Sequence, residues 1–223
     1  MSGRGGRSPY EELRSRILSG DLAPGTPLVE GAVAKEFGTS RSPVRDALGQ
    51  LVYEGLLERH ERALRVRVLR AEDVLELYEV RIALERAAAR AAAERRTELD
   101  LGRLTRTVDA MRDLDADATG ERPKLAHALH FAIWRATHNA TLVETLERLH
   151  VRVMGLSSTT LHYPQRWTQF RDESVDLLAA VRDRDIARAG DVAETQMTNA
   201  RDFRVELYSA RPDELPDRLP AGR

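Results

Sequence analysis

Gly38-Thr39-Ser40-Arg41-Ser42-Pro43-Val44-Arg45-Asp46-Ala47-Leu48 is the stretch that decides the fold of this 223-residue chain. Gly38 ends one short helical pattern, Glu30 to Phe37, in which Val33 and Phe37 share a face. Thr39-Ser40 read as the N-cap of the next helix, whose apolar stripe is Val44, Leu48 and Leu51 and which ends near Gly55. Arg41 and Arg45 then project from the opposite face, one turn apart. Two short helices joined at a glycine, the second beginning with basic and hydroxyl residues, satisfy what a helix-turn-helix requires of its recognition helix. Arg41 and Arg45 can reach guanine O6 and N7 or phosphates, and the hydroxyls of Thr39, Ser40 and Ser42 suit phosphates; taken alone, the two arginines are equally the solvent face of an amphipathic helix.

Upstream, Tyr10, Leu13 and Ile17 recur at helix spacing, and Ser19-Gly20 with Pro24-Gly25 and Pro27 closes that helix in a turn-rich loop. Residues 1–9 read as a disordered Gly/Arg/Ser-rich arm. Downstream, Leu56-Leu57-Glu58-Arg59 and Leu64-Arg65-Val66-Arg67-Val68 alternate with period two, which predicts two short strands forming a wing. The DNA-binding unit is thus expected over 10–70, with a linker near Leu69 to Asp73.

From Glu72 the chain turns to long Ala/Leu/Arg-rich segments, and aromatic residues make up only 5% of the whole. Helices are expected at about 72–94, 97–117, 122–138, 140–162, 166–183 and 185–208, forming an all-α antiparallel bundle over 72–209. The tail, 210–223, holds three prolines and reads as disordered. The fold class is therefore mainly α. Formal net charge is −1, with 12 Lys and Arg against 9 Asp and Glu in residues 1–70, a mildly basic head on a mildly acidic body. There is no Cys, which excludes disulfides, thiolate metal sites and a cysteine nucleophile. No apolar run reaches the ~18–20 residues of a membrane span, so a cytoplasmic protein is expected.

The segment Leu28-Val29-Glu30 … Ala34-Lys35-Glu36-Phe37-Gly38-Thr39-Ser40-Arg41-Ser42-Pro43-Val44-Arg45-Asp46-Ala47-Leu48 … Leu51 … Gly55-Leu56-Leu57 closely resembles the GntR family of regulators, over residues 10 to about 68. The resemblance implies that Arg41 and Arg45 are the main operator contacts, with Ser40 and Ser42 beside them. The family's wing usually carries a glycine after a basic residue. Here the tip reads Arg59-His60-Glu61-Arg62-Ala63, leaving His60 and Arg62 as the candidates for minor-groove contact.

Residues 72–208 are similar to the all-helical FCD ligand-binding domain of the FadR-type branch. The similarity rests on Leu77-Tyr78-Glu79-Val80-Arg81-Ile82-Ala83-Leu84-Glu85, on His130 nine residues before Asn139, and on Ala180-Val181 … Asp185 … Ala189. Helical spacing independently sets one polar group on each of four apolar stripes. Arg81 falls among Val74, Leu77, Tyr78, Ile82 and Glu85; His130 among Ala126, Leu129 and Ile133; Ser174 among Phe170, Leu177 and Val181; Gln196 among Ala189, Ala193, Ala200 and Phe203. Singly, each has a bland explanation, such as an Arg81–Glu85 pair one turn apart or a satisfied core histidine. The resemblance gathers all four around one effector pocket.

Many FCD domains hold a metal through an aspartate, a histidine four residues on, and two later histidines. The matching positions read Ala126, His130, Ser174 and Gln196, so no metal and no cofactor are expected, and His127 with His130 is a pair short of a third ligand. The expected effector is a small organic acid or acyl compound gripped by Arg81. The expected protein is a homodimeric repressor released by that effector from palindromic double-stranded operator DNA. The alternatives are a helical-bundle metal-dependent enzyme, for which Glu147-Arg148-Leu149-His150 supplies one Glu-x-x-His motif where two are needed, and a metal-sensing regulator.

Overall fold

The computed structural model describes residues 8–61, 63–68, 71–154 and 159–210, which divide into two compact units. Residues 1–7 of the expected arm 1–9, Arg62, the linker residues Leu69 and Arg70, residues 155–158, and the tail beyond 210 lie outside the described residues.

The first unit opens with α1 (Pro9–Ser19). Ser8 caps it: its hydroxyl accepts from the Glu11 N–H while the Glu11 carboxylate accepts from the Ser8 N–H. Pro9 therefore belongs to the helix rather than to an arm, because proline fits the first turn, where no N–H partner is needed. Gly20 ends the helix in the left-handed region, φ 86°. Next come β1 (Pro27–Leu28), α2 (Glu30–Phe37) and α3 (Arg41–Tyr53), then the hairpin β2 (Leu57–His60) and β3 (Ala63–Val66). The sheet order is β1-β3-β2, all antiparallel, with His60 opposite Ala63 at the tip. The wing thus gains a third, two-residue strand; β2 is shifted by one residue from the expected Leu56–Arg59, and β3 starts one residue before and ends two residues before the expected Leu64–Val68. Leu13, Leu28, Val33, Val44, Leu48, Leu51, Leu57 and Val66 make one buried core beneath the three helices. Arg14 and the Tyr10 hydroxyl both bond Glu54, tying α1 to the end of α3.

The second unit contains α4 (Ala71–Arg95), α5 (Glu98–Arg112), α6 (Arg122–Ala136), α7 (Ala140–Met154) as far as His150, α8 (Pro164–Arg182) and α9 (Ile186–Ala210), with 3-10 turns at Thr119–Glu121 and Thr160–His162. Asp73, expected in the linker, is already in α4. The helix expected over 97–117 stops at Arg112, and of the one expected over 140–162 the described helix is Ala140–Met154, residues 155–158 lying outside the described residues and Thr160–His162 forming a 3-10 turn. Asp113 to Ala118 contain nothing that breaks a helix. The segment that follows α5 is fastened by the Arg122 guanidinium, which donates to the Ala116 carbonyl, 2.7 Å, as well as to the carbonyls of Leu161 and His162.

α4 and α9 lie antiparallel along one seam. Arg184 donates to the carbonyls of Ala93, Glu94 and Arg96 at the end of α4, and Arg86 pairs with Asp191 and Glu194 one and two turns into α9. At Gly190 a Cβ would stand 2.7 Å from Arg90 Cγ, so only glycine admits this crossing without displacing the arginine stem. Alanines 88, 89, 92 and 93 of α4 pack with Leu104, Val108, Leu129, Ile133, Trp134, Phe170, Leu177 and Val181 in the main core.

Candidate nucleic-acid interface and effector cluster

On α3 the buried stripe is Val44, Ala47, Leu48 and Leu51, and the face beginning Arg41-Ser42-Pro43 and continuing through Arg45 is exposed. Gly38, φ 62°, makes the turn from α2: its N–H and that of Thr39 close on the carbonyls of Lys35 and Ala34. Ser40 occupies the N-cap position of α3, but its side chain caps nothing, a correction to the reading of Thr39-Ser40 as a capping pair. Both hydroxyls are exposed, as is that of Ser42. His60 is exposed at the end of β2, and Arg62 lies outside the described residues. Glu61 stands at the wing tip with φ 52°, the backbone conformation that a glycine would adopt without strain.

Arg45 is not extended into solvent. Its Nε donates to Glu30 Oε1 at 3.2 Å and its Nη2 to Glu30 Oε2 at 3.1 Å. This fork raises the Arg45 pKa through its bond to Glu30 and lowers that of Glu30 through its bond to Arg45. Nothing local in the sequence joins Glu30 to Arg45, fifteen residues away. Only the packing of α2 on α3 makes them neighbours.

In the bundle, Arg81, His130, Ser174 and Gln196 are all at most 6% exposed. Arg81 Nε donates to Glu85 Oε1 at 3.2 Å, and among the described residues its two terminal nitrogens carry no hydrogen bond. The other Glu85 oxygen accepts from Trp134 Nε1 at 2.7 Å and stands 3.9 Å from His130 Nδ1. Burial pushes the Glu85 carboxyl above its usual range, with Arg81 and Trp134 pulling it back. Burial, then the charges of Arg81 and Arg166, hold His130 well below its ordinary value, so the imidazole is neutral. The His130 ring lies beside Phe170, centroids 5.8 Å apart. Ser174 donates to the Phe170 carbonyl at 2.6 Å, and Gln196 Nε2 donates to Ser174 Oγ at 3.4 Å. The four buried residues thus form a network of neighbours on α4, α6, α8 and α9 in which hydrogen bonds join Arg81 to Glu85 and Gln196 to Ser174, while His130 stands near Glu85 and beside the Phe170 ring.

The structure adds Arg166 to that network, 1% exposed, donating to Glu173 at 3.2 Å and to the Gln196 carbonyl at 3.1 Å, over the Phe170 ring at 5.8 Å. Its signal was legible, since 166 precedes Phe170 by one turn on the stripe that includes Ser174. Trp134 stands in the same relation to His130. His127 stacks on His150 with ring centroids 4.3 Å apart.

The positions that would hold a metal do not fit one. Ala126 has no donor atom, the Ser174 proton is directed at a carbonyl, and Gln196 turns its amide to Ser174. Only His130 is a metal ligand by type, and among the described residues no group of three or more His, Cys, Asp or Glu could hold an ion. No helix among the described residues is long and apolar enough to cross a membrane.

A winged helix-turn-helix with an exposed basic recognition helix, and a six-helix bundle with a polar interior, together define the class of one-chain, two-unit bacterial regulators. The chain belongs to the GntR family of bacterial regulatory proteins: that family's model matches residues 8–66, and the FCD domain model matches 76–199. It is 30% identical to the Glc operon transcriptional activator of Escherichia coli (strain K12), over 92% of this chain and 94% of that one. It is 31% identical to the uncharacterized HTH-type transcriptional regulator YdhC of Bacillus subtilis (strain 168), the match covering 63% of this chain and 64% of YdhC. It is 34% identical to the probable D-xylose utilization operon transcriptional repressor of Paenarthrobacter nicotinovorans, over 63% and 62%. The match therefore spans less than two thirds of the length of these last two. The structure superposes on E. coli McbR/YncC with a TM-score of 0.70 at 23% identity, covering 90% and 96% of the two chains, a likeness of fold. The family and these relatives are regulators of transcription, not enzymes.

Proposed function

We propose that the chain is a DNA-binding transcriptional regulator that reads an operator through α3 and is governed by a small organic acid held in the bundle. The observation that carries this reading is the exposed face of α3, which sets Arg41 and Arg45 opposite the buried Val44-Leu48-Leu51 stripe. Thr39, Ser40 and Ser42 flank them for phosphates, and His60 and Arg62 serve the wing. Arg81 offers its terminal nitrogens to a carboxylate, with His130, Ser174 and Gln196 supplying hydrogen bonds around it. A homodimer is needed so that two recognition helices meet successive major grooves of a palindrome. Its place of work is the cytoplasm, where the operator is. Effector binding relieves repression by favouring a dimer geometry that no longer matches those grooves, with a coupling of about 1–3 kcal/mol. Relatives named as a repressor and as an activator support regulation in either direction. We assign repression.

The test is an anisotropy titration of DNA from the region upstream of the chain's own gene, comparing wild type with Arg41→Ala/Arg45→Ala at one fixed salt concentration. Wild type should prefer a short palindrome well above competitor DNA. The double variant should lose that preference, since each bidentate base contact contributes about 1–3 kcal/mol of discrimination. Equal binding of all sequences by wild type would end the reading.

A further inference from the structure

We propose that Glu30 is a specificity-determining positioning residue: it holds Arg45 by one edge so that the guanidinium's other edge is presented to a base. This rests on the reading of α3 as the helix that enters the major groove.

The argument is one of donors. A guanidinium has five N–H groups arranged on two useful edges. The carboxylate of Glu30 takes the side edge, through Nε at 3.2 Å and Nη2 at 3.1 Å. What remains free is the end edge, formed by Nη1 and the second hydrogen of Nη2. That edge matches the spacing of guanine O6 and N7. An exposed arginine without a partner samples many rotamers and loses that freedom on binding, whereas a forked one has already lost it. Arg45 is 67% exposed on its side chain and Glu30 38%, so the fork lies open to an approaching duplex rather than locked in a core.

Charge gives the second half of the argument. Arg41 also faces the start of α2: its Nη2 lies 3.8 Å from where a Gly31 Cβ would be, and its charge helps keep Glu30 ionised. Two cations thus converge on one carboxylate at the N-terminus of α2. Glu30 subtracts one charge from the surface that meets phosphates of every sequence, while leaving the base-reading edge of Arg45 intact. It therefore weakens binding to arbitrary DNA more than binding to the preferred site.

The experiment uses the full-length protein. A duplex is selected by wild type from a random-sequence library, and a shuffled duplex of the same composition is the comparison. Both are titrated by anisotropy over a salt series with wild type, Glu30→Gln, Glu30→Asp and Glu30→Gln/Arg45→Ala. Glu30→Gln should bind the shuffled duplex more tightly, steepen the log–log salt dependence by about one, and lower the preference for the selected duplex about tenfold. Glu30→Asp keeps the charge but is one methylene too short for the fork, so its salt slope should stay while its preference falls. In the Arg45→Ala background, Glu30→Gln should no longer alter preference. Circular dichroism melts report whether α2 still forms. An unchanged preference in Glu30→Gln, or an equal loss on both duplexes, overturns the proposal and leaves the operator-reading role of α3 standing. Failure of wild type to select any sequence removes both.

Discussion

Replacing Arg81 by Met removes a buried charge while keeping much of the side-chain volume, and the consequence can be worked out from its surroundings. Arg81 is 5% exposed and Glu85 3%, and the carboxylate has two described hydrogen-bond donors, Arg81 and Trp134. Breaking a buried ion pair from one side costs about 3–5 kcal/mol, because the remaining charge loses its compensation. Glu85 has an escape, since burial already pushes its carboxyl up and a protonated acid avoids the penalty. The favoured form in the fold is then the neutral one. Its stability contribution is fully present below the ordinary carboxylate value and is lost as pH rises through the raised folded value. Arg81→Met should therefore be mildly destabilised at pH 5 and severely so at pH 8. At about 2–4 °C per kcal/mol, the melting temperature at pH 8 should fall by roughly 6–20 °C. Arg81→Met/Glu85→Met should regain most of the loss. Thermal denaturation at each pH followed by tryptophan fluorescence is the assay, because both tryptophans, Trp134 and Trp167, sit in the bundle core and report on it alone. A deficit equal at pH 5 and pH 8, or a double variant as unstable as the sum of the single ones, would refute the reasoning.

Two further outcomes are expected. The folded value of His130 is depressed, so the unfolded chain takes up the proton first; stability is intact above pH 6.5 and is lost as pH falls below it, by up to about 1.4 kcal/mol per pH unit. His130→Gln should flatten that decline in the urea midpoint between pH 6.5 and 5, and a parallel decline in both proteins would contradict it. Glu61→Gly should stabilise the wing by about 0.5–1 kcal/mol, because the left-handed conformation at φ 52° strains any residue with a Cβ. Slower amide exchange in β2 and β3 is the measurement, and faster exchange would count against the strain.

What was legible in the sequence was what local pattern dictates. Gly38 had to turn, Val44, Leu48 and Leu51 had to face inward, and Arg41 and Arg45 followed onto the outer face. The burial of the four stripe-breaking polar residues of the bundle, Arg81, His130, Ser174 and Gln196, followed from the same periodicity. What was not legible depended on partners distant in the chain. The strand at Pro27–Leu28 is two residues long and exists only because Arg65 and Leu64 lie opposite it. The segment after α5 is held by Arg122, ten residues past Arg112, and the fork on Arg45 by the packing of one helix on another. Arg166 was missed for a different reason: its position on the stripe was plain, but a charge in the first turn of a helix reads as solvated until its burial is known.

The seam between α4 and α9 has a consequence for how the bundle can be cut and joined. Because the two helices run antiparallel and are fastened from Arg184 through Gly190 to Glu194, the first and last helices of the unit begin and end at the same pole. A unit whose termini are neighbours can be circularly permuted. Joining the end of α9 to the start of α4 and opening the chain between Asp113 and Ala118 should leave every core contact in place.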